Sequence, residues 1–159
     1  MKALRYSNQE GAWVGSVVER WHRLHASLEQ GLNGAGAIPA GTVRRWVSGA
    51  GRVRIRAVLR VAAVRWDAAR EAGSPAPSPP AVRDLYRRAI HSAFHDPVEI
   101  SDLAVDGDDL RGAGFAPGPL LGKILQGLLD WVLEDPRRNV PDSLLVQASE
   151  LRLSLGTTR

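Results

Sequence analysis

Asp106, Asp108 and Asp109 put three carboxylates within four residues of this 159-residue chain. Carboxylates at that density can hold a divalent cation. They can also accept hydrogen bonds from the free amides of a helix start and meet the positive end of its dipole. They stand just ahead of a short helical segment, so capping is the expected role. The histidines offer two further constellations. His22 and His25 share a helix face with Glu19, and His91 and His95 stand one turn apart. Zinc would need a third protein ligand and a second shell, and neither pair carries the Glu of an H-E-x-x-H motif. His95-Asp96 resembles half of a metal phosphohydrolase motif, but Pro97 follows it and no partner histidines stand in order. The serines are assigned to caps and a linker, and no nucleophile–base–orienter set is assembled. With no cysteine in the chain, a disulfide framework and a Cys-ligated zinc site are excluded. The expectation is no catalytic residue, no metal and no cofactor.

The remaining chemistry is that of anion binding. Residues 1–72 hold twelve Lys/Arg against five Asp/Glu, a balance of +7, and residues 73–159 hold nine against twelve, a balance of −3. Nineteen of the 21 basic residues are Arg, the side chain suited to bidentate phosphate contacts. A polyanionic partner follows from that half, although an Arg-rich codon usage would yield the same composition. Arg44 and Arg45 flank Trp46, the tryptophan expected to be exposed and available for stacking. Packing is expected for at least three of the five tryptophans, Trp13, Trp21 and Trp66 among the candidates. Further on, Pro117-Gly118-Pro119 opens a helix with Lys123 one turn in. Proline is pre-organised for a first turn, glycine lets another backbone approach, and the free amides attract anions. Gly114 and Gly122 keep the flanking surface flat. The same turn also serves as a stiff corner, with Leu121, Ile124, Leu125, Leu128 and Val132 forming a core stripe behind it.

These residues need helices to position them. Ser7 with Glu10 makes a capping-box pattern for a helix reaching about Gln30. Helices are further predicted over 40–48, 52–72, 81–94, 117–134 and 141–155, and no segment alternates as a strand would. The fold class is therefore all-α. On the 52–72 helix, Val53, Ala57, Val61, Val64 and Ala68 fall on one face, and Val58, Leu59, Ala62 and Trp66 on another. Arg52, Arg56, Arg60 and Arg70 line one gap between these faces, while Arg54 and Arg65 line the second. Such a helix is packed on two sides, and its Arg strips meet either solvent and carboxylates such as Asp67 or a phosphate backbone. Residues 74–80 contain four prolines and read as a semi-rigid linker. It divides a helical body, 1–73, from a helical tail, 81–159. A softer break is expected at 31–36. No leader-like or membrane-spanning apolar run is present, so the cytoplasm is the expected compartment.

The tail closely resembles that of bacterial class II tRNA nucleotidyltransferases, the CCA-adding enzymes and related poly(A) polymerases. That family's pattern DLxxxGxDLxxxGxxPGPxxGxxL…VLEDPxxN is matched by Asp102-Leu103, Gly107, Asp109-Leu110, Gly114, Pro117-Gly118-Pro119, Gly122, Leu125, Val132-Leu133-Glu134-Asp135-Pro136 and Asn139. The body is similar as well. Residues 4–10, LRYSNQE, resemble LRxSNxE, and residues 43–70 resemble VRRFxxxxGxxxLxxLLxLxxADxxA, with extra Arg and Val where the family has acidic or polar residues. The resemblance implies the body and tail that grip the tRNA elbow while a catalytic head works on the 3′ end. That grip calls for recognition of backbone and shape. The contacts so implied are Arg44, Arg45, Arg52, Arg56, Arg60, Gly114, Gly118, Gly122 and Lys123.

The family's head is a nucleotidyltransferase sheet whose paired Asp residues hold two metals, as phosphoryl transfer requires. This chain has no such strand and no Gly-Gly pair beside one, so it is not expected to be an enzyme on its own. The partners expected are tRNA and a separate nucleotidyltransferase head. The alternatives are a protein-interaction module docking on such a head, with an exposed apolar patch near residues 4–25, or an unrelated helical regulatory domain.

Overall fold

A computed structural model of the chain describes residues 7–34 and 36–156. Seven α-helices account for most of them, and no strand occurs among the described residues. They are α1 (Asn8–Asn33), α2 (Ala40–Ala50), α3 (Ile55–Glu71), α4 (Pro79–His95), α5 (Gly107–Gly112), α6 (Pro119–Glu134) and α7 (Pro141–Gly156). Two 3-10 turns, Ile100–Asp102 and Pro136–Arg138, join α4 to α5 and α6 to α7. The fold is all-α. Ser7 caps α1 through the expected reciprocal pair, with its hydroxyl accepting from the Glu10 amide and Glu10 accepting from the Ser7 amide. Residues 4–6 of the LRYSNQE match lie outside the described residues.

The short helix α2 is the hub. It packs against α1, α3, α4 and α6 and buries Val43, Trp46, Val47 and Ala50. Trp46 is therefore not the exposed tryptophan. Its ring lies on Gly31, where an added Cβ would come within 2.6 Å of Trp46 Cη2, and its Nε1 donates to Ser27 Oγ at 2.9 Å. This contact also removes the expected break at residue 31: the glycine admits the indole, and α1 runs on to Asn33. The exposed tryptophan is Trp13, on the first turns of α1. Trp21, Trp46 and Trp66 are the three fully packed ones.

Of the two apolar faces expected on α3, one is core and the other only borders it, with Ala57 and Val61 half-buried against the core. Val58, Leu59, Ala62 and Trp66 are buried, whereas Val53 and Val64 are 76% and 68% exposed. The linker is shorter than expected and does not divide the packing. Ser78 caps α4, and Pro79-Pro80 occupy its first turn, where a missing N–H costs nothing. Pro77 is buried, and its carbonyl accepts from Arg70 Nη1 at 2.7 Å. Beyond it α4 packs on α2 and α3, so the buried residues from Val17 to Ala148 form one continuous cluster. The tail is an α6–α7 hairpin with α5 and the two 3-10 turns against α6.

Candidate nucleic-acid interface

α2 packs against α6 and meets its C-terminal end. Arg44 is buried there, and its Nε and Nη2 donate to the carbonyls of Leu133 at 2.6 Å and Glu134 at 2.8 Å. A helix C-terminus leaves those carbonyls unpaired and carries partial negative charge, so a guanidinium satisfies both needs. Asp96, at the end of α4, approaches Arg44 Nη1 at 3.6 Å and accepts from Ser92 Oγ at 2.9 Å. Ser92 is thus neither cap nor linker: it is buried in α4, next to an exposed His91 that stacks on His95 at 4.2 Å. Arg45 turns outward and pairs with Glu134.

The other polar residues of the tail pattern are internal fasteners too. Asp102 accepts from the amides of Val98 and Glu99 at 2.9 Å each and pairs with Arg52 at 2.5 Å. Asn139 donates to the Asp102 carbonyl and accepts from the Ala104 amide, both at 2.8 Å. Asp106 caps α5 by accepting from the Asp108 and Asp109 amides, and Asp109 returns a bond to the Asp106 amide. The same amide bonds hold the Asp106 carboxyl below its ordinary range, that of Asp109 contributing most. Asp108 pairs with Arg111. The expected capping role is what the geometry has. Asp135 caps the second 3-10 turn, and its carboxyl is lowered to about 2, chiefly by the Arg137 guanidinium.

What the pattern leaves on the surface is the start of α6. Gly118 is the N-cap with φ +137 and ψ −171, a conformation essentially confined to glycine, and no side chain caps the helix. Pro119 fills the first turn, and Gly122 and Lys123 are exposed just inside it. Lys123 has no hydrogen-bond or ion-pair partner among the described residues. Gly114, at φ +86, closes α5 on the same approach and is also exposed. α5 itself comes close to this end, for a Cβ on Gly107 would lie 3.8 Å from Leu121 Cδ2. Its carboxylates are already committed to amides and to Arg111. Arg152, at the end of α7, was not anticipated: its guanidinium lies 4.7 Å from the Phe115 ring centre, three residues before Gly118. No spacing rule links positions 115 and 152. Only the antiparallel packing of α6 and α7 brings them together.

The nine expected contacts thus separate. Gly114, Gly118, Gly122 and Lys123 share the open end of α6. Arg56 and Arg60 are exposed on α3 without partners among the described residues. Arg45 and Arg52 are tied to Glu134 and Asp102, and Arg44 is spent inside the fold. The other arginines expected on this helix are engaged within the fold, with Arg54 donating to Ser16 Oγ, Arg65 lying over Trp21 and Arg70 pairing with Asp67. Among the described residues no group of three His, Asp or Glu converges as a metal site would require, and no helix is long and apolar enough to cross a membrane. No family model, curated protein or solved structure matches the chain.

Proposed function

We propose that this chain is a tRNA-binding body-and-tail module of tRNA nucleotidyltransferase type, gripping the RNA backbone while a head outside this chain adds to the 3′ end. The observation that carries the proposal is the start of α6, an exposed and uncapped helix end with an unpartnered Lys123 one turn in. Free amides and the helix dipole attract phosphate there. The glycines at 118 and 122 present no side chain to keep a backbone away, and Arg56 and Arg60 add charge on α3. Contacts of this kind position a nucleic acid without reading its bases. In a titration of tRNA at several salt concentrations, affinity falls steeply with salt, by a log–log slope of about −0.9 per phosphate contact on duplex. Lys123→Ala keeps the fold, weakens binding evenly across RNA sequences and makes that slope shallower by about one contact. No binding at low salt, a flat salt response, or unchanged affinity in folded Lys123→Ala protein overturns the proposal.

A second reading, a docking module for a separately encoded nucleotidyltransferase head, is favoured by α1. Its first turns expose Trp13, Val14 and Val18, each more than two-fifths accessible, an apolar stripe of the kind partners cover. The chain alone, given labelled CTP or ATP with magnesium, then leaves tRNA unextended. It co-elutes with such a head on gel filtration, and Trp13→Asp abolishes the co-elution. Incorporation by the purified chain, or co-elution indifferent to Trp13, removes this reading.

A further inference from the structure

The seam between α3 and α4 holds a furrow of about 420 Å³, within the roughly 300–1,000 Å³ typical of small-molecule sites. Its floor is apolar: Leu59, Trp66 and Leu85 are each buried and line it, and Ala63 and Tyr86 form its sides. Trp66 turns its one polar atom elsewhere, donating from Nε1 to Glu29 Oε1 at 3.2 Å. A sugar or base would therefore find almost nothing to bond on that floor, whereas a hydrocarbon or aromatic body gains by leaving water.

The rim is of the opposite character. Arg60 on α3 and Arg83 on α4 line the furrow from either side. Both are exposed and without a hydrogen bond or ion pair among the described residues. The nearby carboxylates are engaged elsewhere, Asp67 with Arg70 and Asp84 with Arg87 and Arg88, and no carboxylate lines the furrow. Two uncommitted guanidiniums over an apolar trough complement one ligand chemistry, an apolar body ending in an anionic group. We propose that the α3–α4 furrow binds a small amphiphilic acid, its apolar body lying between Ala63 and Tyr86 and its anionic group held by Arg60 and Arg83. The site lies apart from the start of α6 and shares only Arg60 with the proposed RNA contacts, whereas Ala63, Tyr86 and Arg83 belong to the furrow alone.

The test is calorimetric titration of the whole chain with decanoate below its aggregation concentration, beside decyltrimethylammonium of equal chain length. Decanoate binds saturably at one site and the cationic amphiphile does not. Ala63→Phe fills the trough and removes the binding while leaving tRNA affinity as it was. Arg60→Gln and Arg83→Gln, both at exposed unpaired positions, each weaken decanoate by about two- to fivefold and keep the fold if Ala63→Phe does not. Lys123→Ala has no effect on decanoate, so failure here and failure of the RNA proposal are distinguishable. Equal affinity for the two amphiphiles, no saturable site, full decanoate affinity in folded Ala63→Phe protein, or an Arg60→Gln/Arg83→Gln double variant that binds like the parent overturns the inference.

Discussion

Arg44 and Arg45 are consecutive residues on α2, yet the first closes the end of α6 from inside the protein and the second meets Glu134 at half-exposed surface. The energetic consequences differ accordingly. Replacing Arg44 by Met strands the Leu133 and Glu134 carbonyls and leaves Asp96 without its guanidinium, and breaking a buried charged cluster of this kind costs about 3–5 kcal/mol. Arg45→Ala loses a surface pair that contributes about 0.2–1 kcal/mol. Chemical denaturation of the two variants checks this, and comparable losses would contradict the burial argument. Trp46 and Trp13 make the same point for aromatics. The residue beside two arginines packs on Gly31 and Ser27, and the one at helical spacing from Trp21 is on the surface.

At the scale of the element, the acidic cluster at 106–109 is a helix start. Asp106 makes α5, only six residues long, possible by satisfying two of its first amides. Because those bonds depress the Asp106 carboxyl below 3.8, the sign of the pH response is set. The contribution is fully present above that ordinary value and is lost as pH falls through the lower folded-state value. Asp135, lowered to about 2, and Glu10, lowered by the Ser7 amide and hydroxyl, act in the same direction. Thermal melts across pH 2–6 should show a fall in Tm beginning below about pH 4. Asp106→Ala should lower the neutral-pH Tm and flatten that acid limb. An acid limb identical to the parent's would mean that the cap contributes nothing. The stripe of α6 is also more selective than its periodicity indicates. Ile124, Leu128 and Val132 are buried as expected and joined by Leu129 and Leu133, whereas Leu125 is only partly buried at the edge.

Taken as a whole, the molecule has one continuous core that passes across the proline-rich stretch. α4 follows that stretch in sequence but packs on α2 and α3, which precede it. Residues 1–73 cut from the rest would expose the faces of α2 and α3 that α4 and α6 cover, and should not fold independently. The intact chain should unfold in one transition, with coincident fluorescence and circular dichroism curves. Leu85→Ala, at a position 1% exposed on α4, should shift that whole transition by about 2–5 kcal/mol. Two separated transitions, or a folded 1–73 fragment, would restore the division at 74–80. The same scale governs charge. The +7 of residues 1–72 is only partly free positive surface, because Arg44, Arg45 and Arg52 are paired with acids from the second half.

Helix class, most helix positions and the capping residues Ser7 and Asp106 were legible in the sequence, because they depend on neighbours three or four residues away. The open start of α6 was legible for the same reason: proline, glycine and an uncapped turn are local properties. The sequence could not tell which arginines are committed, since their partners stand far along the chain, as Arg44 does from Leu133 and Arg52 from Asp102. Nor could it show that Gly31 exists to receive Trp46, that Arg152 comes to lie over Phe115, or that α3 and α4 leave a furrow rimmed by Arg60 and Arg83. Each of these needs two helices to be brought together, and helix packing is decided by the summed fit of many side chains rather than by any one spacing.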